Sequence, residues 1–149
     1  MVWGGFGYGG KTDLVMIEGH LNSDKYQKML QGNLIASGST ICGDNWKFQQ
    51  DNASIHTSKA TMGWFKSNRV DVIEWPACSP DMNPIENLWG VLTYRVYGKN
   101  KQYESVNDLK MAIINAWESL KKEELQKLVD SMPDRVFQLI QSKGGATKY

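Results

Sequence analysis

The sequence predicts an α/β fold in which a small sheet is accompanied by helices. The first observation is an aromatic, glycine-rich stretch from Val2 to Tyr8, followed by the turn signal Gly9-Gly10 and an apolar partner from Thr12 to Glu18. The second is an alternation of helical and strand-like patterns between residues 22 and 97. The third is a last third of the chain that is helical in pattern. The hairpin and the alternation place helices beside strands rather than in an all-helical bundle.

The middle of the chain supplies the alternating elements. Asn22 or Ser23 can cap a helix that runs to about Ala36, and Gly38-Ser39 is expected to end it. Three further elements follow from apolar spacing and are, in order, a strand over Trp46–Gln50, a helix over His56–Asn68 and a strand over Arg69–Glu74.

The second half of the chain is predicted to be helical. Pro84 opens a helix that reaches about Tyr97, because proline is favoured at a first helical position. Apolar residues at helical spacing predict three more helices, over Ser105–Leu120, Lys122–Asp130 and Met132–Ser142, before a short tail. The sequence contains no linker pattern, so we predict one domain over 1–149, with a core over 1–103 and C-terminal helices over 104–149.

Composition is typical of a globular chain and gives no sign of a nucleic-acid affinity based on charge. The 149 residues are 41% hydrophobic and 22% charged, with a net charge of +1. No apolar run approaches the ~20 residues of a membrane helix, and we expect no secretion signal. Cys42 and Cys78 fit no metal-ligand spacing and are expected to be at least half-buried thiols. If DNA is the partner, most affinity must come from another domain or from metal that bridges carboxylate to phosphate.

Two acids, Asp51 and Glu86, are the candidate metal ligands. Asp51 follows the predicted strand that ends at Gln50, where an α/β sheet places its ligands. Glu86 lies in the first turn of the helix opened by Pro84. Carboxylate oxygens suit Mg²⁺ or Mn²⁺, although a two-metal site usually needs three or more carboxylates. Taken singly, each acid also has a structural interpretation, Asp51 as a turn former and Glu86 as a partner of the helix dipole.

The helical wheel places Glu86 at the edge of an apolar stripe. That stripe repeats at helical spacing and consists of Ile85, Leu88, Trp89, Leu92 and Val96. Glu86 lies about 100° from Ile85, so we expect it to border the stripe rather than face open water. Gly90, four residues on, leaves nothing bulky one turn below it.

The wording of two motifs carries a family resemblance. QQDNASIHTS, starting at Gln49, and WPACSPDMNPIENLW, starting at Trp75, together resemble the catalytic domain of mariner-like transposases of the DDE superfamily. Thirty-four residues, 52 through 85, separate Asp51 from Glu86, and the combination of motifs and spacing is highly specific. The resemblance extends along the whole chain. Ser54 and Cys78 stand where the family often has other residues, and neither is a ligand position.

The resemblance implies a ribonuclease-H-like fold with an Asp, Asp, Glu triad that binds two Mg²⁺ or Mn²⁺ ions. Asp51 would be the second acid and Glu86 the third. It implies a nuclear enzyme of DNA transposition and DNA integration that cuts at terminal inverted repeats and joins the 3′ ends to target DNA. The partners implied are transposon ends, target DNA and a second copy in a homodimer, with no membrane.

The family's first Asp lies upstream of the segment that resembles Val2 onward, so these 149 residues do not contain it. Asp44 is about 23 Å from Asp51 along an extended strand, too far to share a metal pair, and Asp13 matches no family acid. We therefore expect the chain alone to be inactive and its core to lack the first, central strand. Without that strand, the hairpin should pair directly with Trp46–Gln50 or stand apart from it.

Three polar residues are candidates for binding substrate: His56, Asn52 and Asn87. His56 belongs to the first motif, but packing at a helix start is an equally ordinary role. Asn87 would orient Glu86 or a phosphate, while Asn83 is expected to cap the helix.

A second hypothesis is a non-catalytic, transposon-derived remnant that acts as a DNA-binding or dimerisation module. It predicts DNA binding that survives EDTA and the Asp51→Asn substitution. A third, a sugar hydrolase with a carboxylate pair, explains the two acids but not the wording of the motifs.

Overall fold

The N-terminal segment forms the predicted antiparallel hairpin. In the computed structural model, which describes residues 1–145 and 147–149, β1 (Val2–Trp3) pairs with β4 (Val15–Met16), with Val2 opposite Met16. At the turn, β2 (Phe6–Gly7) pairs with β3 (Gly10–Lys11). Each predicted arm is thus broken in two. The break lies where the Thr12 hydroxyl accepts from the Gly5 N–H at 2.9 Å, so a side chain replaces a ladder bond.

A long helical segment follows, and it extends beyond its predicted end. It consists of α1 (Ser23–Leu30), a π-helical turn (Gln31–Ile35) and α2 (Ala36–Cys42). Asn22 caps α1 by accepting from the Lys25 N–H at 2.9 Å, as predicted. The prediction that Gly38-Ser39 ends the helix is wrong, since the helix ends at Gly43, whose φ is +80°.

The next elements are shorter than predicted. They are β5 (Lys47–Phe48), α3 (Ser54–Thr57), α4 (Lys59–Ser67) and β6 (Asp71–Val72). β5 and β6 are parallel, with Phe48 opposite Val72. The single helix predicted over His56–Asn68 is two helices, because Ser58 is extended and its hydroxyl caps α4 by accepting from the Thr61 N–H at 3.2 Å.

With the exception of the hairpin turn at residues 6–10, these elements form the first of two compact units, which consists of residues 1–5 and 11–79. Its core is made by apolar side chains from the residues before α1, the first long helical segment, α4 and the residue before β6. They are Leu21, Tyr26, Leu30, Leu34, Phe65 and Val70. Within the described residues of this unit, the β1–β4 ladder and the β5–β6 ladder are separate. The hairpin stands apart from β5, which is one of the two predicted arrangements.

Gly38 is needed for packing rather than for ending a helix. A Cβ atom at this position would lie 2.6 Å from Cζ2 of Trp46, well inside the sum of van der Waals radii. Trp46 packs against the core of the first unit. The glycine therefore lets the indole lie directly on the helix backbone. The sequence alone does not distinguish this packing role from the end of a helix.

Replacing Gly38 by alanine should destabilise the chain. We expect the free energy of unfolding to fall by about 1–3 kcal/mol, because the added methyl overpacks the Trp46 contact. Gly63→Ala in α4 is the control, since nothing lies within 4 Å of a Cβ there and alanine is the better helix former by up to ~1 kcal/mol. Urea unfolding followed by circular dichroism measures both. Equal responses of the two variants would contradict the packing role.

The second unit contains residues 6–10 and 80–149 and is mainly helical. A 3₁₀ turn (Pro80–Met82) leads into α5 (Pro84–Tyr97), which ends in a second 3₁₀ turn (Gly98–Asn100). The remaining helices are α6 (Val106–Glu118), α7 (Lys122–Asp130) and α8 (Met132–Gln141). The helices predicted for this half are confirmed to within two residues. Residue 146, in the predicted tail, lies outside the described residues.

The apolar stripe predicted on α5 forms the core of the second unit. Leu88, Leu92 and Val96 are buried, and α5 packs against α6 and α7. Trp117 of α6 is fully buried and stacks on Trp89, with ring centroids 5.7 Å apart. The prediction of one domain with a boundary between 103 and 104 stays a prediction.

Two sequence expectations about side-chain burial are wrong. Cys42 and Cys78 are both exposed. Cys42 is the last residue of α2, and Cys78 lies in the proline-rich loop with a φ of +55°, so neither follows the apolar face of a helix or strand. Among the described residues, no helix has the length and apolar character needed to span a membrane.

Candidate metal centre

Asp51 lies in the loop that follows β5, three residues beyond the last residue of the strand. Its side chain is 59% exposed. One carboxylate oxygen, Oδ1, accepts from the Ala53 N–H at 3.0 Å and contacts His56 Nδ1 at 2.6 Å. An ionised carboxylate only accepts hydrogen bonds, so Nδ1 of His56 carries the proton. The carboxylate is therefore held in one orientation while most of its surface faces solvent.

His56, which contacts Asp51, is itself held in place by Tyr26 and Gln50. The rings of Tyr26 and His56 lie 4.5 Å apart between centroids. The Tyr26 hydroxyl donates to Gln50 Oε1 at 2.8 Å, and Gln50 Nε2 donates to the His56 carbonyl at 3.2 Å. Both Tyr26 and Gln50 are buried. The structure therefore gives Asp51 a rigid support that reaches back to α1.

The electrostatics of this support follow from burial. Burial, and then the nearby negative charge of Asp51, raise the pKa of Tyr26 above its ordinary value. The phenol therefore stays protonated at neutral pH and keeps donating to Gln50.

Sequence reasoning missed Tyr26 and Gln50 as site residues. In the sequence, Tyr26 falls at helical spacing with the apolar residues Leu30 and Leu34, a pattern that favours a packing role. A buried tyrosine hydroxyl needs a hydrogen-bond partner, and that requirement was the available signal. The sequence did not say that the partner lies 24 residues away.

Asn52 joins two loops of the first unit. Its Nδ2 donates to the Trp75 carbonyl at 2.8 Å, so the loop after β5 is tied to the loop after β6. His56 and Asn52 thus each have a partner within the protein, Asp51 and Trp75 respectively. Their predicted contacts with substrate stay predictions.

Glu86 lies in the first turn of α5 in the second unit. Asn83 occupies the N-cap position, but its side chain makes no capping hydrogen bond, and Pro84 is the first helical residue. The Glu86 N–H donates to the Asn83 carbonyl at 3.1 Å. A Cβ atom at Gly90 would meet nothing within 4 Å, which confirms the open space one turn below.

The expectation that Glu86 does not face open water is wrong, because its side chain is exposed. A first-turn residue has no preceding helical turn to cover it. Asn87 is half-buried, and its Oδ1 is buried without a hydrogen-bond partner. The role of Asn87 in orienting Glu86 or a phosphate stays a prediction.

With both acids located, comparison with known proteins shows where the chain belongs. The profile of the DDE superfamily endonucleases matches residues 1–110, a range that includes Asp51, Glu86 and the motifs around them. The chain belongs to the DDE superfamily of endonucleases.

Relatives and solved structures agree with this family. The Tc3 transposase of Caenorhabditis elegans is 41% identical over 149 residues, which is all of this chain and 45% of that protein. This DDE endonuclease chain spans about half the length of the curated relatives it matches.

The Mos1 transposase catalytic domain with raltegravir and Mn has a TM-score of 0.79 at 18% identity, covering 99% of this chain and 82% of that one. The Mos1 transposase paired-end complex with the left transposon end has a TM-score of 0.82 at 20% identity, covering 97% and 43%. These structures show the fold, so the predicted α/β, ribonuclease-H-like class is confirmed.

The two acids of this DDE endonuclease chain are the right type of ligand for a hard divalent ion, but two carboxylates are fewer than a two-metal site usually has. Asp51 and Glu86 both offer exposed carboxylate oxygens, the ligands that Mg²⁺ and Mn²⁺ prefer. Across residues 1–145 and 147–149, no group of three or more His, Cys, Asp or Glu side chains is placed to hold a metal ion. The two acids belong to different compact units.

Three basic residues, Arg95, Lys99 and Lys101, lie near one another in sequence at the end of α5 and just after it, but not all of them are available to a partner. Arg95 pairs with Glu124 and donates to the Ser119 hydroxyl at 2.9 Å, so its charge is used within the second unit. Lys99 and Lys101 are exposed, and Lys101 lies 5.2 Å from the centre of the Tyr103 ring. Two lysines remain as candidates for contact with a DNA backbone.

Proposed function

We propose that this chain is the greater part of the catalytic domain of a DNA transposase. The enzyme cuts at terminal inverted repeats and joins the 3′ ends of the element to target DNA. The observation that carries the proposal is the family match over residues 1–110, which contains Asp51 and Glu86 in their motifs. The 41% identity to the Tc3 transposase along the whole chain supports it. The enzyme would act in the nucleus, where its DNA is, and as a homodimer.

Asp51 and Glu86 are the metal ligands in this proposal. Mg²⁺ or Mn²⁺, when bound, supplies the Lewis acidity that activates a water or 3′-hydroxyl and stabilises the leaving oxygen. Support comes from the exposed oxygens of both acids and from the structure of the Mos1 catalytic domain with Mn. DNA as the partner is supported by the Mos1 paired-end complex with a transposon end.

The protein groups would act by positioning. His56 and the Ala53 N–H hold one oxygen of Asp51, so the carboxylate does not have to reorganise when a cation arrives. The first turn of α5 presents Glu86 next to Gly90, where the absence of a side chain leaves room for a bulky phosphate. Asn52, exposed in the loop after β5, and Asn87 are proposed to contact substrate beside these acids, with His56.

The core over residues 1–103 lacks its first, central strand in this proposal. Support comes from the first unit, in which the described residues form two separate two-stranded ladders rather than one continuous sheet. The first Asp of the triad belongs to that strand in the family. The 149 residues alone therefore carry two of the three catalytic acids.

The 149-residue polypeptide is expected not to cut DNA. Supercoiled plasmid incubated with the chain and Mn²⁺ should show no nicking above the buffer control, because two carboxylates do not complete a two-metal site. Gel electrophoresis of the plasmid is the measurement. Robust nicking that disappears in Glu86→Ala would contradict the expectation and would mean that the acids present are sufficient.

A further inference from the structure

Arg135 of α8 is a charged side chain in the interior of the second unit. Its exposed fraction is 0%. The guanidinium Nε donates to the Ser131 hydroxyl at 2.9 Å, and Nη1 donates to the backbone carbonyl of Asp81 at 2.6 Å. The ring of Tyr149 lies 4.3 Å from the guanidinium carbon. Burying a cation is costly unless its donors are satisfied, so these contacts must hold the group in place.

The carbonyl that Arg135 binds belongs to the turn that leads into α5. Asp81 is the central residue of the 3₁₀ turn Pro80–Met82. The Asn83 N–H donates to the Pro80 carbonyl at 3.0 Å, and Asn83 is the N-cap residue of α5. The Glu86 N–H then donates to the Asn83 carbonyl at 3.1 Å. A continuous run of hydrogen bonds and backbone therefore connects Nη1 of Arg135 to Glu86.

The C-terminal tail binds the same turn through the side-chain carboxylate of Asp81. The Thr147 N–H donates to Asp81 Oδ2 at 2.7 Å and keeps the pKa of that carboxyl below its usual value. The Lys148 N–H donates to Gln138 Oε1 of α8 at 3.2 Å. Asp81 is therefore bound at its carbonyl by α8 and at its carboxylate by the tail.

The residues that hold Asp81 lie outside the part of the chain that carries the family match. The match ends at residue 110, within α6, whereas Arg135 and Thr147 lie beyond it. Arg95 provides a contrast within the same unit, because it contacts Ser119 and Glu124 from the last turn of α5. The two arginines thus hold opposite ends of the helix that presents Glu86.

We propose that Arg135 is a positioning residue for Glu86, acting through the Pro80–Met82 turn and the start of α5. The inference rests on the proposed function only for the role of Glu86 as a metal ligand. The guanidinium fixes the Asp81 carbonyl, the turn fixes the N-cap residue, and the N-cap fixes the first turn of α5. The C-terminal helix α8 then helps to position a metal ligand, although it supplies no ligand itself.

The test combines hydrogen exchange with a spectroscopic signal from Glu86. In Arg135→Met, exchange of the amides of residue 83 and residues 85–88 should become about tenfold faster, because one charge-assisted hydrogen bond that holds the turn is lost. Amides of residues 92–97 should change little. Arg135→Lys keeps the charge and one donor, so it should restore part of the protection. Arg95→Met is the matched control and should act at the opposite end of α5.

The second readout is the broadening of the Glu86 carboxyl carbon signal by Mn²⁺, assigned by its loss in Glu86→Gln. Arg135→Met should need several-fold more Mn²⁺ for the same broadening, Arg135→Lys should lie closer to the wild-type chain, and Arg95→Met should match it. Uniform acceleration of exchange across the second unit, or unchanged broadening in Arg135→Met, would overturn the inference.

If Arg135→Met does not fold, the lysine variant decides by the same two criteria. If the wild-type chain shows no broadening at Glu86, the metal assignment in the proposed function fails, and local exchange at residues 83–88 still decides whether Arg135 holds the start of α5.

Discussion

Replacing Asp51 by asparagine should lower the affinity of the chain for Mn²⁺ by on the order of 100-fold. The substitution keeps the size of the side chain and an oxygen for the Ala53 N–H, but it removes the negative charge. A hard divalent ion depends on that charge, since an amide oxygen is a weaker ligand than a carboxylate. Calorimetric titration with Mn²⁺ measures the change directly.

Asp13→Asn is the matched control for that titration. Asp13 is an exposed acid of the first unit that lies in the hairpin and matches no family acid. Its loss removes the same charge from the same unit, so any effect of net charge on cation affinity appears equally in both variants. An equal fall in affinity for Asp13→Asn and Asp51→Asn would show general attraction of cations instead of a site at Asp51.

Replacing Trp117 by alanine should lower the free energy of unfolding by about 3–5 kcal/mol. The indole is fully buried in the second unit and stacks on Trp89, so its removal leaves a cavity and forfeits an aromatic contact. Urea unfolding followed by circular dichroism is the measurement, since the helices of this unit dominate the signal.

Val106→Ala is the control for the tryptophan variant. Val106 belongs to the same helix, but its side chain is 70% exposed, so its truncation should change stability by no more than ~0.5 kcal/mol. A loss below ~1 kcal/mol in Trp117→Ala would contradict the central position given to this side chain.

The helices of the second half were predictable because apolar residues recur at helical spacing, and α5 and α6 also have start signals. Pro84 marks the beginning of α5, and Ser105 caps α6 by accepting from the Asp108 N–H at 3.1 Å. The end of the first long helix was not predictable in this way. A glycine such as Gly38 is typical of a helix end. Only the position of the Trp46 ring in the structure shows that the glycine is needed for packing.

The two candidate acids can be named from the sequence, whereas the groups that hold them cannot. Asp51 and Glu86 stand in motifs whose wording is specific, and the family match includes both. The contact between His56 and Asp51 depends on the turn between β5 and α3, and the bond from Tyr26 to Gln50 depends on tertiary packing. The exposure of Glu86 depends on its place at the start of α5, where an idealised helical wheel does not apply.

The assignment of Asp51 and Glu86 as ligands of the same divalent ion is tested most directly by titrating isotope-labelled chain with Mn²⁺ while observing the side-chain carboxyl carbon signals. A paramagnetic ion broadens the signals of its own ligands first. We expect the Asp51 and Glu86 signals to broaden together at the lowest Mn²⁺ concentrations, while the Asp13 signal stays sharp. Both signals should recover when EDTA is added. Broadening of only one of the two, or of neither before the other exposed acids, would contradict a shared metal site.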